Sequence, residues 1–589
     1  MTRCMFQMCR QILAVHRMLP KKLVTALLAG SAAVCATFAT MAADSADKDQ
    51  DLLKAKPEVV EAWKDMRFGM FICWGPASVT GKEVGFARNG PRQPWPWGGR
   101  HRRGTVPAEV YDNLYKKFDA PKFDAQEWIS LVKASGAKYI IFLTNHLAGF
   151  SMWDSKLDDP DIMDSPLGRD VTGEIIKACQ EAEIKVILYY FQCDWTHPDY
   201  ATENHDRYLK YFHGQIRELC SNYGKIDGFW FDVDRSPATA WKSKSLFKMI
   251  RRLQPDIIIN NRCGLPGDYS CPEQHIGKFQ LRRPFETCMT LGTQWAWKPN
   301  DRLKSLKQCI DVLVKCATRD GNLALNTNPM PDGRIEPRQA TRFREIGQWL
   351  KKHGESIYGT RGGPFATTWG GTTRKGNTIY VHVLKWTDKP LILPPIKRKI
   401  VSHSMLTGGT ASVKQTDKGI TMDVPPTHRN DLDTIIKLEL DGSAMDIGLI
   451  PPPPLQLRGA ISTGKRVKAS GEWSTSYRAA KAFDGDVSTR WGGAPDTKSG
   501  WLAVDLGEEE IFDRVFISEG WDRVRSFELQ MKKGDSWQTF FRGTTIGEDF
   551  SATFPPVTAR HVRLNMPAAI NVPTIWEFHL FAPKREKRK

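Results

Sequence analysis

The sequence predicts a multidomain protein in which a (β/α)8-like barrel is followed by two all-β modules. From Glu58 to Gly354, short β-branched or aromatic runs alternate with amphipathic helical segments, as in a parallel sheet covered on both faces. After Gly359 the pattern changes to short strands broken by glycine and proline, and a run of four prolines from Pro451 precedes the second all-β module. With 589 residues and 41% hydrophobic content, the chain can form several packed cores.

Residues 1–42 are predicted to form a secretory signal segment. Lys21 and Lys22 precede an apolar run from Leu23 to Phe38, and small residues follow this run before the charged part of the chain begins. The run is shorter than the roughly 20 residues that span a bilayer, so we expect cleavage near Ala43 rather than a membrane anchor. The mature protein is therefore expected to be secreted or periplasmic, with no membrane span.

The predicted barrel covers residues 43–358. At about 300 residues, the alternating pattern fits a barrel best, and a doubly wound sheet is the competing fold. No GxGxxG motif follows an early strand, which argues against a dinucleotide-binding protein. Strands are predicted at Arg67 to Cys73, Ala137 to Thr144, Ile184 to Tyr190, Gly228 to Asp232, Asp256 to Asn260 and Asn322 to Asn326. Helices are predicted at Phe123 to Ser135, Asp170 to Glu183, His205 to Tyr223, Ser243 to Leu253, Leu303 to Ala317 and Pro337 to Lys352.

The C-terminal part is predicted to contain two β-sandwiches, because short strands with alternating apolar and polar residues recur between turn signals. The predicted parts are a small β-sandwich at 359–450, a Pro-rich linker at 451–457, a second sandwich at 458–582 and a solvated basic tail at 583–589.

The basic charge predicts an anionic partner. Lysine and arginine outnumber the acidic residues, and the formal net charge is +18. Nucleic acid is the first class to consider, but the sequence contains no zinc-finger or RNP-like motif.

The cysteines are predicted to be buried free thiols. Nine of the twelve remain after the signal segment, and all nine lie between Cys73 and Cys316. An odd number confined to one half of the chain, within apolar patterns, argues against a disulfide framework. No cysteine or histidine cluster has the spacing of a zinc site.

Asp232 is the first candidate catalytic residue. It ends the strand from Gly228, where alternation places it on the same face as Trp230. Reactive groups of barrel enzymes lie at the C-terminal ends of strands, although Asp232 could instead cap a helix. Glu273, in a proline-marked loop, and Glu286, which could instead be the structural partner of an arginine, are candidates for a second carboxylate. Two carboxyl groups about 5 Å apart would make a retaining glycosidase.

A set of motifs along the barrel is specific when taken together. The motifs are Arg67-Phe68-Gly69-Met70-Phe71 with Trp74-Gly75; Gly136-Ala137-Lys138-Tyr139 leading to Thr144-Asn145-His146 and Gly149-Phe150; Trp153-Asp154-Ser155; Arg169-Asp170; Tyr189-Tyr190; Trp230-Phe231-Asp232; and Gly321-Asn322-Leu323 to Pro329-Met330-Pro331-Asp332-Gly333. This set resembles the α-L-fucosidases of glycoside hydrolase family 29, over nearly the whole barrel and the module after it.

The resemblance implies a glycoside hydrolase that releases α-L-fucose with two carboxylates and without a cofactor for catalysis. It assigns Asp232 as the nucleophile and Glu273 as the acid/base. Sugar-binding aromatic and basic positions are implied at His146, Tyr190, Trp230, Arg262 and Trp295.

The chemistry of these side chains agrees with the implied roles. Arg262 follows a strand end, where it could donate to a sugar hydroxyl or keep a catalytic carboxylate ionised; a surface ion pair is the alternative. Trp230 and Trp295 could pack on the C5-methyl face of a 6-deoxy sugar, and a core role is the alternative for either indole.

The chain departs from the family pattern at two positions. The family usually has a histidine where Cys73 stands and a second histidine where Leu147 follows His146. A weak thiol donor and an aliphatic group therefore replace two imidazoles that are expected to bind sugar hydroxyls. Because both carboxylates are retained, we expect activity with an altered subsite for the terminal sugar, in which Glu83 supplies a compensating hydroxyl contact.

The C-terminal module carries its own motifs, at Ala482 to Asp486, Thr489 to Trp491, Trp501 to Gly507 and Trp576 to Phe578. They resemble the discoidin, or factor V/VIII type C, carbohydrate-binding domains. The resemblance implies a structural calcium ion, with Asp484, Asp486 and Glu577 as the available oxygen ligands. A purely structural sandwich without a ligand is the alternative.

The leading hypothesis is an exported, exo-acting α-L-fucosidase that acts on a fucosylated or sulfated glycan. One alternative is a hydrolase for a related sugar, such as an α-L-galactoside or a sulfated fucoside. The other is a non-catalytic carbohydrate-binding protein, which the two lost imidazoles favour. In each case the partner expected for the +18 charge is an anionic glycan rather than nucleic acid.

Overall fold

The computed structural model describes residues 52–90, 104–233, 236–277, 283–367, 369–386, 390–450, 459–486, 489–521, 523–547 and 550–583. The predicted signal segment, the Pro-rich linker and the basic tail from residue 584 onward lie outside these ranges. Within these ranges, no helix is long and apolar enough to cross a bilayer.

The N-terminal domain is built on a parallel sheet, which has seven strands in the residues described. Nearly all side chains of these strands are buried, as expected for a parallel sheet that is buried on both faces. The strands are β1 (Phe68–Ile72), β4 (Tyr139–Leu143), β5 (Lys185–Tyr190), β6 (Gly228–Phe231), β7 (Ile258–Ile259), β8 (Glu286–Thr290) and β9 (Asn322–Thr327). Their spatial order is β7-β6-β5-β4-β1-β9-β8. A separate short pair, β2 (Arg88–Asn89) and β3 (Val106–Pro107), lies between β1 and β4 in the chain.

The segment 269–273 connects the two edges of this sheet. Tyr269 forms a parallel bridge with Asn260, next to β7, while Ser270 and Glu273 form parallel bridges with Phe285 and Cys288 at β8. The sheet therefore curls into the predicted barrel-like form, and the irregular closing segment carries Glu273.

Six of the described helices form where the apolar periodicity predicts them, with boundaries within a few residues of the prediction, whereas the two that precede Phe123 were not predicted. Local caps explain these limits: Asp124 accepts hydrogen bonds from the backbone N–H groups of Gln126 and Glu127, and Ser305 forms a capping box with Gln308. The helices are α1 (Pro57–Met66), α2 (Ala108–Tyr111), α3 (Ala125–Ser135), α4 (Val171–Glu181), α5 (His205–Ser221), α6 (Ser243–Leu253), α7 (Leu306–Thr318) and α8 (Pro337–His353).

Two strands differ from the sequence-based expectation. Strand β8 was not predicted, because its sequence, Glu-Thr-Cys-Met-Thr, has no run of β-branched or aromatic residues. The strand predicted from Asp256 to Asn260 shortens to the two residues of β7. Pairing with neighbouring strands of the sheet, rather than local sequence, therefore determined the presence of β8 and the length of β7.

The second domain is a small antiparallel β-sandwich, as predicted. One sheet contains β10 (Arg361–Ala366), β11 (Gly370–Lys375), β12 (Thr378–Val383), β17 (Thr434–Leu440) and β14 (Ile400–Met405), in that spatial order. The other contains β13 (Leu391–Leu393), β16 (Gly419–Asp423) and β15 (Ser412–Thr416). Their shared core includes Phe365, Ile379, Val381, Leu393, Met422 and Ile436.

The C-terminal domain is a β-structure around a separate core that includes Trp491, Leu502, Phe527, Val562 and Phe578. One strand, Gly500–Glu519, is 20 residues long, and its pairing shifts register between Asp505 and Glu510. The strands are β18 (Arg466–Ala469), β19 (Trp491–Gly492), β20 (Gly500–Glu519), β21 (Val524–Lys533), β22 (Ser536–Gly543), β23 (Phe550–Ala569) and β24 (Thr574–Phe581).

The cysteines behave as predicted. All nine cysteines from Cys73 to Cys316 are buried and free. Their burial in the barrel explains why an odd number in an apolar context does not form a disulfide framework.

Candidate active site

A pocket opens at the C-terminal ends of the central barrel strands. It is lined by residues near the ends of β1, β5 and β6 and by residues of the loops that follow β4 and β8. Aromatic and apolar side chains form most of its wall, and a few polar groups converge inside it. The lining residues are Phe71, Cys73, Glu83, Val84, Phe86, Leu143, His146, Tyr189, Trp230, Asp232, Arg262, Glu273 and Trp295.

Arg262 joins the two candidate catalytic carboxylates. Its Nη1 donates to Asp232 Oδ1 at 2.5 Å and to Glu273 Oε2 at 3.0 Å. Because both oxygens contact the same nitrogen, they lie no more than 5.5 Å apart. The second guanidinium nitrogen, Nη2, donates to the backbone carbonyl of Cys271 at 2.9 Å, which fixes the group in place.

The environment of Asp232 sets its ionisation. Burial raises the pKa of Asp232 to about 6, and the negative charge of Glu273 adds to this, whereas Arg262 and the Tyr189 hydroxyl favour the ionised form. Although burial lowers the pKa of Arg262, the charges of Asp232 and Glu273 hold it well above its usual value. At neutral pH the site therefore contains an ionised Asp232 beside a charged arginine.

Tyr189, rather than the predicted Tyr190, faces the pocket. The Tyr189 hydroxyl donates to Asp232 Oδ2 at 2.7 Å, whereas the Tyr190 hydroxyl is buried on the other side of β5 and donates to Gln215 at 2.6 Å. The prediction at Tyr190 is therefore corrected by one residue. The physical reason is strand alternation, since neighbouring side chains of β5 point to opposite faces of the sheet.

Trp230 forms the floor of the pocket. Its ring stacks against Tyr189, with centroids 5.5 Å apart, and the Arg262 guanidinium lies 4.7 Å from the ring centroid. Its indole N–H donates to Glu286 Oε1 at 3.0 Å. Trp230 therefore combines the two roles predicted for it. One face of its ring lines the pocket, and its indole nitrogen is hydrogen-bonded in the core.

Glu286 lies inside the barrel and not in the pocket. It is fully buried and accepts hydrogen bonds from Tyr139 and Trp230, so an arginine is not its partner. Burial raises the pKa of Glu286 to about 7, although these two hydrogen bonds favour the ionised form. Of the two candidates for the second carboxylate, only Glu273 lines the pocket.

Glu83 holds the loop that carries Trp295. Its carboxylate accepts backbone hydrogen bonds from Trp295 at 2.9 Å and from Ala296 and Val84 at 3.0 Å each. Burial raises the pKa of Glu83, while these three N–H groups oppose the rise. Glu83 lines the pocket, but its observed contacts position Trp295, and the expected contact with a sugar hydroxyl stays a prediction.

His146 reaches the pocket as a neutral imidazole. Its ring stacks nearly parallel to Tyr189 and meets Phe86 edge-on. Burial lowers the pKa of His146 to about 3, and its Nδ1 is buried without a hydrogen-bond partner. A neutral imidazole carries one N–H donor and one acceptor nitrogen.

Comparison with known proteins decides the family. A family model described as Alpha-L-fucosidase matches residues 33–355, more than half of the chain. The chain belongs to the α-L-fucosidase family. A second model, described as F5/8 type C domain, matches residues 466–578. The predicted enzyme class and the predicted discoidin domain are both confirmed.

Individual relatives agree with this assignment. The solved structure of α-L-fucosidase isoenzyme 1 from Paenibacillus thiaminolyticus is 30% identical and covers 65% of this chain and 99% of that chain, with a TM-score of 0.59. A GH29 α-L-fucosidase from Bacteroides thetaiotaomicron, solved as a trapped covalent intermediate with 2-fluoro-fucosyl fluoride, is 26% identical, covers 66% of this chain and 97% of that chain, and has a TM-score of 0.59. The α-L-fucosidase of Branchiostoma floridae is 26% identical over 425 residues, covering 65% of this chain and 92% of the relative.

Two positions at which this fucosidase departs from the family pattern have different surroundings. Cys73 lines the pocket, and burial, together with the charges of Glu83, Asp232 and Glu273, raises the pKa of its thiol well above the usual value. Leu147 is fully buried and does not line the pocket. Of the two replacements, only the thiol therefore faces the pocket.

The discoidin domain of this fucosidase gathers oxygen atoms in the loop predicted to bind calcium. The Thr489 hydroxyl lies 2.8 Å from the Asp484 carboxylate, 3.2 Å from the backbone oxygen of Lys481 and 3.3 Å from that of Asp486. Glu577 is instead fully buried and contacts His579 at 2.6 Å. In the described part of the chain, no three His, Cys, Asp or Glu side chains converge as a metal site. Calcium binds several oxygen ligands, and the Asp484 loop supplies that many only when its backbone carbonyls are counted together with the carboxylate.

Five residues that line the pocket were not predicted as site residues from the sequence: Phe71, Val84, Phe86, Leu143 and Tyr189. Phe71 and Tyr189 each stand near the C-terminal end of a predicted strand, so strand alternation was the signal that could have found them. Val84 and Phe86 lie in a loop, where no periodic pattern marks the direction of a side chain.

Proposed function

We propose that this protein is a retaining α-L-fucosidase that removes terminal fucose from glycans by double displacement. The observation that carries the proposal is the shared contact of Arg262, which keeps the Asp232 and Glu273 oxygens within 5.5 Å of each other. Retaining glycosidases have carboxyl groups about 5–5.5 Å apart, whereas inverting enzymes leave about 6.5–9.5 Å for a water molecule.

The surroundings of the two carboxylates favour Asp232 as the nucleophile. Asp232 follows β6 directly, its backbone N–H donates to Gln192, and 22% of its side chain is exposed. Glu273 lies on the closing segment of the barrel with 40% of its side chain exposed. A fixed carboxylate suits attack on a carbon atom, while an accessible one can exchange protons with solvent.

In the first step, an Asp232 oxygen bonds to the anomeric carbon as the bond from this carbon to the leaving oxygen breaks. Glu273 gives its proton to that oxygen, so the leaving group departs as an alcohol and a glycosyl ester remains on Asp232. In the second step, Glu273 takes a proton from water, the water oxygen bonds to the anomeric carbon, and Asp232 leaves as a carboxylate. The Arg262 charge and the Tyr189 hydroxyl stabilise that carboxylate.

The mechanism is supported by the B. thetaiotaomicron relative, which was solved as a trapped covalent intermediate. The same reagent class tests the proposal here. Incubation with 2-fluoro-fucosyl fluoride should add one fluorofucosyl group to the peptide that contains Asp232, as detected by mass spectrometry. Proton NMR of the first-formed sugar should show the α-anomer, whereas β-L-fucose as the first product would exclude retention.

Variants separate the catalytic roles. Asp232→Asn should abolish turnover of an aryl α-L-fucoside, because an amide is a poor nucleophile. Glu273→Gln should slow the hydrolysis of substrates with basic leaving groups more than that of substrates with acidic leaving groups, because only a basic leaving group needs a proton to depart. Full activity of Asp232→Asn would rule out the assigned nucleophile, whereas no turnover by the wild type would favour a carbohydrate-binding protein.

We infer that the terminal sugar is L-fucose, recognised through aromatic contacts in the pocket. Trp230, Phe71 and Trp295 present apolar surface where the C5-methyl group of a 6-deoxy sugar can pack. L-Galactose carries a hydroxyl at that carbon, which this surface would desolvate at a cost. Aryl α-L-fucoside should therefore be preferred over aryl α-L-galactoside, and a reversed preference would identify the related-sugar alternative.

We propose that the protein is exported and that the mature chain begins near Ala43. The proposal rests on the two lysines, the apolar run and the small residues that precede this position. Edman sequencing of protein recovered from the medium or the periplasm should read from the neighbourhood of Ala43. An intact residue 1 on protein from the cytoplasm would contradict the proposal.

We propose that the discoidin domain holds a structural calcium ion at the Asp484 loop. The carboxylate of Asp484, the carbonyls of Lys481 and Asp486 and the Thr489 hydroxyl are hard oxygen donors. Calcium should raise the melting temperature of the wild type after removal of metal with EGTA, and Asp484→Ala should lose that response. Equal melting with calcium and with EGTA would exclude the site.

A further inference from the structure

The discoidin domain contacts the segment of the barrel that carries Glu273. His275 lies two residues after Glu273, and its Nδ1–H donates to the Glu273 backbone oxygen at 2.8 Å. The His275 ring meets the Trp521 ring edge-on, with centroids 5.8 Å apart, a separation at which aromatic rings attract each other. Trp521 belongs to the turn between β20 and β21 of the discoidin domain. Neither ring lines the pocket, so an effect of this contact on the reaction must pass through Glu273.

The backbone turns sharply immediately after Glu273. Glu273 forms a parallel bridge with Cys288 of β8, and the backbone N–H of Gln274 donates to the Cys288 carbonyl at 2.9 Å. Gln274 then adopts a left-handed backbone conformation with a φ of 58°, which is unfavourable for a residue other than glycine. Such a conformation persists where surrounding contacts hold it. The hydrogen bond from the His275 ring to the Glu273 carbonyl closes this turn, so the ring helps to fix the backbone of the proposed acid/base.

The discoidin domain holds Trp521 in place. Its backbone is left-handed, with a φ of 69°, and two arginines lie over its indole. The guanidinium carbons of Arg490 and Arg523 are 4.8 Å and 4.4 Å from the ring centroid. Arg523 Nη1 also donates to the Val572 carbonyl at 3.0 Å and to the Thr574 hydroxyl at 3.3 Å. The arginines therefore support the indole, which presents a fixed aromatic surface to the barrel.

The direction of the Glu273 side chain depends on the backbone that carries it. Its carboxylate is 40% exposed, and one of its oxygens contacts Arg262 at 3.0 Å. A general acid must come within about 2.6–3.2 Å of the atom that it protonates, and a misplacement of about 1 Å costs roughly 100-fold in rate. A small rotation of the Glu273 backbone would therefore weaken proton transfer and leave Asp232 in place.

We propose that Trp521 is a positioning residue of the active site: it holds the His275 ring, and His275 holds the Glu273 backbone so that the carboxylate faces the leaving oxygen. The discoidin domain is thereby part of the catalytic unit. The inference rests on the proposed function, since it takes Glu273 as the acid/base. Loss of the Trp521 ring should impair the step that needs a proton more than it impairs substrate binding.

Two aryl fucosides that differ in their need for a proton test the proposal with the full chain. Phenyl α-L-fucoside has a basic leaving group, whereas 4-nitrophenyl α-L-fucoside has an acidic one, which departs with little help from an acid. We would measure kcat and KM of both substrates for Trp521→Ala and for His275→Phe. The second variant keeps an aromatic ring beside Trp521 but removes the hydrogen bond to Glu273. Trp537→Ala is the control, because the Arg563 guanidinium lies 4.4 Å from the Trp537 centroid in the same domain.

The expected result is a selective loss. In Trp521→Ala and in His275→Phe, kcat/KM for the phenyl fucoside should fall about tenfold, as part of the roughly 10²- to 10⁴-fold that a general acid contributes. The nitrophenyl fucoside should be affected little, and KM should stay near its wild-type value. Because the two residues act in series, the double variant should lose about as much as either single variant. An equal loss for both substrates, as a smaller folded fraction would produce, or a selective loss in Trp537→Ala would overturn the positioning role.

Hydrogen exchange gives a readout that does not depend on activity. In Trp521→Ala, the peptide that contains Glu273 should exchange its amide hydrogens faster than in the wild type and in Trp537→Ala. Unchanged exchange would overturn the role of Trp521. If Trp521→Ala does not fold, His275→Phe decides the proposal through the kinetics of the two substrates. If the wild type hydrolyses neither fucoside, the proposed function fails, and the exchange experiment then tests by itself whether Trp521 holds this segment.

Discussion

Arg262 is the residue that organises the chemistry of this fucosidase. It contacts both carboxylates through one nitrogen and lies over the face of Trp230, so it controls their spacing and their charge together. Its charge opposes the effect of burial on Asp232, whose pKa would otherwise rise further above about 6. Arg262 therefore favours the ionised form of the proposed nucleophile at neutral pH.

This electrostatic balance predicts the pH dependence of activity. Since Asp232 must be ionised to attack, kcat/KM should fall about tenfold per pH unit well below pH 6. Arg262→Met removes the compensating charge, so the acid limb should move to higher pH, whereas Arg262→Lys should move it less. The check is a pH profile of kcat/KM with an aryl α-L-fucoside. An acid limb that stays in place in Arg262→Met would contradict the assigned role.

The neighbouring tyrosines of β5 provide a matched pair of variants. Tyr189→Phe removes the hydrogen bond to Asp232, and loss of a bond to a charged group costs about 1.5–3 kcal/mol, so kcat/KM should fall about 10- to 100-fold. The acid limb should also move to higher pH, because this hydrogen bond favours the ionised form. The readouts are kcat/KM and its pH profile.

Tyr190→Phe is the control for this prediction. It removes a hydroxyl of the same chemistry, but one that donates to Gln215 in the core. We expect some loss of stability and an unchanged pH profile. If Tyr190→Phe moved the acid limb and Tyr189→Phe did not, the orientation of β5 would be wrong.

At the scale of elements, a buried ion pair joins the barrel to the small β-sandwich. Arg67, just before β1, donates to Asp320 Oδ1 at 2.6 Å and also to the carbonyl of Thr360. Asp320 in turn accepts from the backbone N–H of Gly362 in β10. Although burial raises the pKa of Asp320, the charges of Arg67 and Lys64 hold it below its usual value. These contacts fix where the second domain begins relative to the first strand.

Breaking this pair should strongly destabilise the protein. Asp320→Asn leaves Arg67 buried without its counter-charge, and such changes cost about 3–5 kcal/mol at neutral pH. Because the folded pKa of Asp320 is depressed, its contribution is present above the unfolded pKa of about 3.9 and is lost as the pH falls through the folded pKa. The difference in free energy of unfolding between the wild type and the variant should therefore become smaller only below about pH 4.

Thermal and urea unfolding at several pH values would check this prediction. Asp154→Asn is the control, because Asp154 forms an exposed ion pair with Lys156. The control should unfold like the wild type. Equal stability of Asp320→Asn and the wild type at pH 7 would show that the ion pair does not hold the two domains together.

At the scale of the whole molecule, two domains contribute to the region around the pocket. The barrel supplies the carboxylates, and the discoidin domain places Trp521 against the loop of Glu273. The whole chain carries a net charge of +18, which favours approach of an anionic glycan.

The charge predicts a dependence on ionic strength. Raising salt from about 0.01 to about 0.15 M shortens the screening length from about 30 to about 8 Å. The KM for a sulfated fucoside should rise over this range, whereas the KM for a neutral aryl fucoside should change little. Steady-state kinetics with both substrates would check this. A KM for the sulfated substrate that does not respond to salt would leave the net charge as ordinary surface chemistry.

The sequence by itself determined the fold class and most barrel elements, and it predicted the candidate catalytic pair. Hydrophobic periodicity and helix caps are local, so the helices from α3 to α8 could be predicted closely. Asp232 could be predicted because a carboxylate after a buried strand necessarily lies at the barrel mouth. The role of Glu273 and the discoidin domain were then predicted from the family motifs.

Only the tertiary structure decided which neighbours meet. In the folded chain, Tyr189 rather than Tyr190 points toward Asp232, and Glu286 lies in the core. Both carboxylate oxygens of Glu83 accept hydrogen bonds from the loop that carries Trp295. It also brought Trp521 to His275, although these residues are far apart in the chain and belong to different domains. The physical reason is that strand orientation, burial and domain contact depend on packing between distant segments, which no local sequence pattern encodes.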